Sequence, residues 1–327
     1  MRRFLLLVVG LATASGGWFV SKNFKIEGLD NLSLSPRETT SAGVSYGPDQ
    51  PGVQRSGNAI RVASFNIQVF GEKKLANPRT TALLVEIIRQ FDIVAIQEIR
   101  AKQDVMPRFV DLLNATGRHY DFVIGPRLGR TSSKEQYAFV FDTASIEVDR
   151  SALYTVSDPD DRLHREPLVG WFRVRGPEPT EAFTFSLVNI HTDPDETAQE
   201  LDALADVFRA VRDDGRGEDD VIILGDLNVD DSGLGRLGQI PNAHWVISRV
   251  PTNTRGTKQY DNLVFADLAT TEYTGRWGVF DMIRQFNLTV EEALEVSDHM
   301  PVWAEFGLRE GGQSGRIATR PFNSTTR

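Results

Sequence analysis

Cysteine is missing from all 327 residues. That excludes a disulfide framework and any zinc–thiolate site, and it leaves stability to the core. An excess of positive charge is missing too: 36 Lys and Arg stand against 45 Asp and Glu, a formal net charge of −9, and the pI is near 5.2. Such a chain does not hold a polyanion by a broad basic surface. Transient contact at a local site stays open, because bound divalent cations would offset part of the carboxylate charge there. No internal repeat or long low-complexity tract interrupts the middle of the chain. With 40% hydrophobic and 25% charged residues, that region has the balance of one large globular domain.

The two ends differ from the middle. Arg2 and Arg3 precede an apolar stretch from Phe4 to Val20, which reads as an export signal or a single-span signal anchor over residues 1–20. Ala12-Thr13-Ala14 offers a cleavage pattern, but Trp18-Phe19-Val20 continues the apolar run, so an uncleaved anchor is the preferred reading. This implies an extracytoplasmic protein, secreted or attached to a membrane. A buried N-terminal helix is the plainer alternative. Residues 21–58, rich in Ser, Gly, Pro and Thr, read as a flexible linker and residues 309–327 as a solvated tail. Residues 59–308 remain for the folded domain, and no feature argues for an obligate assembly, so a monomer is the default.

Within that domain short β-rich runs alternate with helical patterns. Strands are expected at 60–66, 93–96, 137–141, 183–190, 221–224, 263–265 and 302–306. Asn77-Pro78 makes an N-cap and first-turn pair for a helix with Leu84, Ile87, Ile88 and Phe91 on one face. A second helix is expected from about Asp195, carrying Leu201, Leu204, Ala205, Phe208 and Val211 inward. The arrangement fits two sheets packed face to face with helices outside.

Several of these strands end in polar residues. Asn66 follows Ser64-Phe65, Gln97-Glu98 follows Ile93 to Ile96, His191 follows Asn189-Ile190, and Gly225-Asp226-Leu227-Asn228 follows Val221 to Leu224. Ser297-Asp298-His299 precedes the last strand. Each has an ordinary explanation, since Asn, Asp and Gly terminate strands through turn chemistry. If the ends converge, however, Asn66, Glu98, Asp226, Asn228 and Asp298 become oxygen donors suited to Mg²⁺, Mn²⁺ or Ca²⁺. His191 and His299 become proton-transfer groups, a combination suited to phosphodiester hydrolysis. His164 and His244 read as packing or surface residues.

From about Ile60 to Gly307 the order of segments resembles the endonuclease/exonuclease/phosphatase superfamily and, within it, the deoxyribonuclease I family. The segments are 64–72, 92–100, 129–137, Arg165-Glu166-Pro167, Gly225-Asp226-Leu227-Asn228, Tyr260-Asp261-Asn262 and 297–302. The resemblance implies a four-layer αββα sandwich of two mainly antiparallel sheets flanked by helices. It also implies a divalent-metal-dependent DNA endonuclease of low sequence specificity.

At matching positions the resemblance makes Glu98, Asn66 and Asp298 metal residues, with Asp226 and Asn228 around the scissile phosphate. It makes Glu135 the orienter of His191 and Asp261 that of His299, with His299 favoured as base and His191 as acid. Arg165 is implied as a phosphate contact and Arg100 as a minor-groove contact; for Arg165 the plainer alternative is a surface ion pair with Glu166 or another carboxylate. The segment Arg127 to Lys134 is a candidate basic rim. Ser133 departs from the family pattern, which has a sugar-stacking tyrosine there, and structural Ca²⁺ sites do not carry over. A phospholipid or small phosphate-ester phosphodiesterase is the alternative substrate reading. A non-catalytic binding protein is the third, opposed by the presence of both histidines and Glu98.

Overall fold

The computed structural model describes residues 57–130 and 134–311, and two short strands, β1 (Phe24–Glu27) and β2 (Ser33–Pro36), which pair antiparallel in a unit of their own. The expected signal or anchor at 1–20, the rest of the expected linker up to residue 56, Ser133 and the tail beyond residue 311 lie outside the described residues.

One set of expectations is corrected. Among the described residues no helix is long and apolar enough to cross a membrane. The expected membrane partner, the single-pass anchor and the extracytoplasmic placement drawn from that anchor are accordingly not supported.

Two six-stranded sheets make the folded unit. In chain order its elements begin with β3 (Ala59–Phe70), the short helix α1 (Glu72–Leu75), α2 (Pro78–Ile88), β4 (Ile93–Ile99), α3 (Met106–Asn114), β5 (Tyr120–Ile124) and β6 (Gln136–Asp142). Then follow β7 (Ile146–Thr155), β8 (Leu168–Val174), β9 (Thr184–His191), α4 (Thr197–Arg212), β10 (Val221–Asp226), β11 (Ala243–Trp245) and β12 (Asp261–Ala266). The chain closes with β13 (Tyr273–Val279), α5 (Met282–Phe286), α6 (Val290–Val296) and β14 (Val302–Gly307). One sheet has the order β13-β14-β3-β4-β6-β5 and the other β11-β12-β10-β9-β8-β7.

Each sheet is antiparallel except at one central pair, β3 with β4 and β9 with β10. Parallel neighbours need a crossover, and here each crossover contains helix: α1 and α2 in the first case, α4 in the second. The pairing therefore brings the C-terminal ends of two adjacent strands together in each sheet. Asp226 stands opposite His191, and Asn66 opposite Gln97.

The period of two along each strand sorts side chains between layers. In β9 and β10, Phe185, Leu187, Ile222 and Leu224 join the large core that includes the space between the sheets. Val188, Ile190 and Ile223 face the other way and pack with Leu201, Leu204 and Phe208 of α4. Asn189, His191 and Asp226 share the alternation of the first set and point between the sheets. There Asn189 is fully buried yet satisfied: its Oδ1 accepts from Gln97 Nε2 at 2.7 Å, and its amide donates to the carbonyls of Ile96 and Ala138. Gln97 also donates to Ser64 Oγ at 3.1 Å. A polar layer thus crosses the middle of an otherwise apolar sandwich.

Both expected helices are present. Asn77 Oδ1 accepts from the backbone N–H of Arg79 and Thr80, and Pro78 opens α2, whose buried side includes Leu84, Ile87 and Ile88. Asn77→Ala should lower stability by about 1 kcal/mol, the usual worth of a cap, and thermal denaturation of the two proteins measures it. An unchanged melting temperature would mean that packing alone holds the helix end.

Candidate active site

The ends of β3, β4, β9 and β10 and the turn before β14 meet at one edge of the sandwich. Asp226 lies at the centre, 2% exposed. Its Oδ2 is 3.4 Å from His191 Nε2 and 3.4 Å from His299 Nε2, and it accepts from Asn66 Nδ2 at 3.0 Å. Its Oδ1 accepts from the backbone N–H of Asn228. Each histidine is held from behind by a carboxylate: His191 Nδ1 lies 3.0 Å from Glu135 Oε1, and His299 Nδ1 lies 2.9 Å from Asp261 Oδ2. With Nδ1–H donated backwards, both Nε2 atoms are left facing the same carboxylate.

Charge follows from this geometry. Burial opposes a charged His191, but Asp226 and Glu135 outweigh it and hold its pKa above the ordinary value. Burial opposes charge on His299 as well, yet Asp261 and Asp226 hold it well above. For Asp226 burial favours protonation, and the two imidazoles together with Asn66 overcome it and hold the carboxyl low. Asp261 goes the other way, pushed up by its burial despite His299.

Backbone conformation is unusual here. Val69, Glu98 and Asn228 have φ of 48°, 59° and 52°, a region that non-glycine residues occupy at a cost of roughly 1–3 kcal/mol when the surroundings force it. At the first two of these the ladder slips, between Asn66 and Phe70 and between Ile96 and Ile99. Such bulges re-aim side chains. The slip turns Glu98 so that Oε1 accepts from Asn66 Nδ2 at 3.3 Å and Oε2 from Val69 N–H at 3.0 Å. Gly225 has a steric reason: a Cβ there would sit 1.8 Å from the Ile190 carbonyl oxygen of the parallel neighbour.

The donor set fits a divalent cation. Asn66 turns its amide N–H groups toward two acids, and its Oδ1 is buried without a hydrogen-bond partner, as is Asp298 Oδ1. Lys74 places Asp298 and Glu98 in one neighbourhood: burial pushes its pKa down to about 8, while both carboxylates pull upward. Glu98, Glu135 and His191 have donor atoms within 4.8 Å of one another, as do Asp226, Asp261 and His299. Both Nδ1 atoms are already engaged by carboxylates, so the hard oxygens of Glu98, Asn66 and Asp298 are the better donors.

The arginines take different places. Arg165 is 5% exposed. Its Nε lies 2.6 Å from Glu135 Oε1, and Nε and Nη2 donate to the carbonyl of His191 at 3.1 and 2.9 Å, with a further bond to that of Thr192. The geometry is that of a buried ion pair supporting the Glu135–His191 dyad, which differs from the expected surface ion pair in its burial. Arg100 is partly exposed and bridges Glu98 and Glu135 at 3.4 and 3.3 Å. In the expected basic rim Arg130 is paired with Asp161 and Glu196, and residues 131–133 are not described. Asn228 Nδ2 donates to the Thr192 carbonyl at 2.9 Å. As expected, His164 and His244 stand apart, His164 paired with Asp193 and His244 stacked on Phe265.

Sequence reasoning missed several supports. Tyr137 Oη accepts from His191 N–H at 3.0 Å, and Thr252 Oγ1 donates to Asp261 Oδ2 at 2.6 Å. A tyrosine opening the otherwise apolar run 137–141 was the one available signal for the first; Thr252 offered none.

The sequence profile of the Endonuclease/Exonuclease/phosphatase family matches residues 63–287. The chain belongs to this family. Among curated family relatives it is 35% identical to deoxyribonuclease gamma of Rattus norvegicus over 286 residues, covering 82% of this chain and 89% of the relative. It is 32% identical to deoxyribonuclease-1 of Bos taurus over 267 residues, covering 77% and 93%. Solved structures show the family fold at low identity. An endonuclease/exonuclease/phosphatase family protein from Bacteroides thetaiotaomicron superposes with a TM-score of 0.52 at 16% identity, covering 76% of this chain and 98% of that one. The human Nocturnin catalytic domain gives 0.52 at 14%, covering 76% and 94%. Family membership and the clustered donors together make this chain a divalent-metal-dependent hydrolase.

Proposed function

We propose that the chain is an endonuclease that hydrolyses the phosphodiester backbone of DNA with little sequence preference, using Mg²⁺. The observation that carries the reading is the pair of carboxylate-backed histidines whose Nε2 atoms face one buried carboxylate, beside oxygen donors that lack partners. The relatives named deoxyribonuclease support DNA as the polymer.

In this reading Glu98, Asn66 Oδ1 and Asp298 hold the cation, which when bound polarises a phosphoryl oxygen and offsets developing negative charge. One histidine takes a proton from the attacking water through Nε2, and the other gives one to the leaving oxygen. Glu135 and Asp261 fix each ring's tautomer and steady its charged form. Asp226 holds both Nε2 atoms toward the reacting centre, and Asn228 lies beside it. Arg165 locks Glu135 in place, and Arg100, which bridges Glu98 and Glu135 and is partly exposed, is the proposed groove contact. Contacts of this kind follow the backbone rather than base edges, which accounts for weak sequence preference.

Nicking of supercoiled plasmid tests the assignment. Activity should vanish with EDTA, and Glu98→Gln should raise the half-activating Mg²⁺ concentration at least about tenfold, as loss of a metal-site group does. An unchanged Mg²⁺ requirement would move the cation away from Glu98; absence of nicking by the folded wild-type chain under any divalent metal would sink the nuclease reading.

A further inference from the structure

A second group of acids lies at the other end of β10 from Asp226. Asp220 directly precedes that strand, and six residues of extended chain, roughly 20 Å, separate the two carboxylates. Donor atoms of Glu218, Asp219 and Asp220 lie within 4.8 Å of one another, and so do those of Asp220, Glu272 and Glu310. Asp220 belongs to both trios. It is 3% exposed, its Oδ1 is buried with no hydrogen-bond partner, and no Lys, Arg or His of the described residues lies within ion-pair distance of it. A buried carboxylate oxygen among four other acids, with no cation of the described residues beside it, lacks the charge partner that burial requires.

The other acids are fixed in ways that leave this arrangement rigid. Glu218 accepts from Trp171 Nε1 at 2.8 Å and from the Asp220 backbone N–H at 3.0 Å. Glu310 Oε1 accepts from Thr184 N–H at 2.7 Å, and Glu272 Oε1 accepts from Gly311 N–H at 2.6 Å. Asp220 and Glu218 lead into the sheet of β10. Glu272 precedes β13, and Glu310 follows β14, in the other sheet. Burial, and after it the charge of Glu272, pushes the Asp220 carboxyl up to about 9, against the Thr270 side chain, which favours the charged form.

We propose that Asp220, Glu218, Glu272 and Glu310 form a second divalent-cation site, separate from the catalytic edge, that takes Ca²⁺ and ties the two sheets together at the far end of the sandwich. Ca²⁺ suits a site made only of carboxylates, because it accepts six to eight oxygens in flexible geometry, whereas Mg²⁺ demands a tighter octahedron and keeps its waters. The site is independent of the phosphodiesterase reading, and either can fail alone.

Trp171 provides a local reporter. Full-length, metal-stripped protein is titrated with Tb³⁺ as a Ca²⁺ substitute, with tryptophan excitation, followed by back-titration with Ca²⁺. The expected result is sensitised emission that Ca²⁺ displaces and that Trp171→Phe largely removes. Asp220→Asn should abolish this Trp171-dependent component. Glu310→Gln, a change at the exposed rim, should raise the half-saturating Tb³⁺ concentration about tenfold while plasmid nicking in Mg²⁺ is unchanged. If Asp220→Asn does not fold, the Glu310 variant decides the matter. Emission that is the same with and without Trp171, or that is indifferent to both acid substitutions, would overturn the site and leave Asp220 as a buried carboxyl that keeps its proton.

Discussion

His299→Ala should lower the turnover of plasmid nicking by about 10²–10⁴, the usual worth of a positioned acid or base, with the Mg²⁺ requirement little altered and the melting temperature lowered, because two buried carboxylates lose their cationic partner. The argument rests on how isolated the ring is in function and how embedded in geometry. Its Nδ1 is bound to Asp261 at 2.9 Å and its Nε2 faces Asp226 at 3.4 Å, so removal deletes a proton carrier and leaves two acids facing a gap. His191→Ala should cost a similar factor. Because both rings answer to Asp226, the double variant should be little worse than either single one, as happens when groups act as a unit. Rate constants for the three variants under saturating Mg²⁺ decide this. Full activity in either single variant would remove that histidine from the chemistry.

Arg165→Met should destabilise the fold by about 3–5 kcal/mol, the penalty for leaving one member of a buried ion pair without its partner. Glu135 is the residue left behind. Burial disfavours its charge, and His191, Arg165 and Arg100 together keep its pKa low; without Arg165 the carboxyl faces the low-dielectric interior with less compensation. The carbonyls of His191 and Thr192 also lose their donors. Urea denaturation is the direct measurement. A phosphate-binding arginine would behave differently, leaving stability intact and raising KM for DNA, and that outcome would restore the role implied by family resemblance.

The site was legible where chemistry sits at strand ends. Asn66, Glu98, His191, Asp226 and Asn228 each follow an apolar run, and an apolar run that stops at a donor is visible without coordinates. All seven expected strands are present, most of them longer than expected by a few residues. The strands that went unnoticed include edge elements: β7 and β13 alternate poorly because one side of each is only partly covered, and both carry register shifts. Arg165 shows a different limit. Sequence places a guanidinium near the site, but whether it meets substrate or Glu135 depends on which way a strand connection folds back, and no local pattern encodes that. Thr252 is similar, since its partner Asp261 is met only once the preceding loop has closed.

The layer of Ser64, Gln97 and Asn189 has a consequence for precision at the catalytic edge. Ser64 is two residues from Asn66, Gln97 is adjacent to Glu98, and Asn189 is two residues from His191. Apolar faces slide over one another with little directional penalty, whereas a hydrogen bond of 2.7 Å between Gln97 and Asn189 is lost with a shift of even about 1 Å. The polar layer therefore acts as a vernier between the sheets, setting the axial offset at which the oxygen donors of one sheet meet the imidazole and carboxylate of the other.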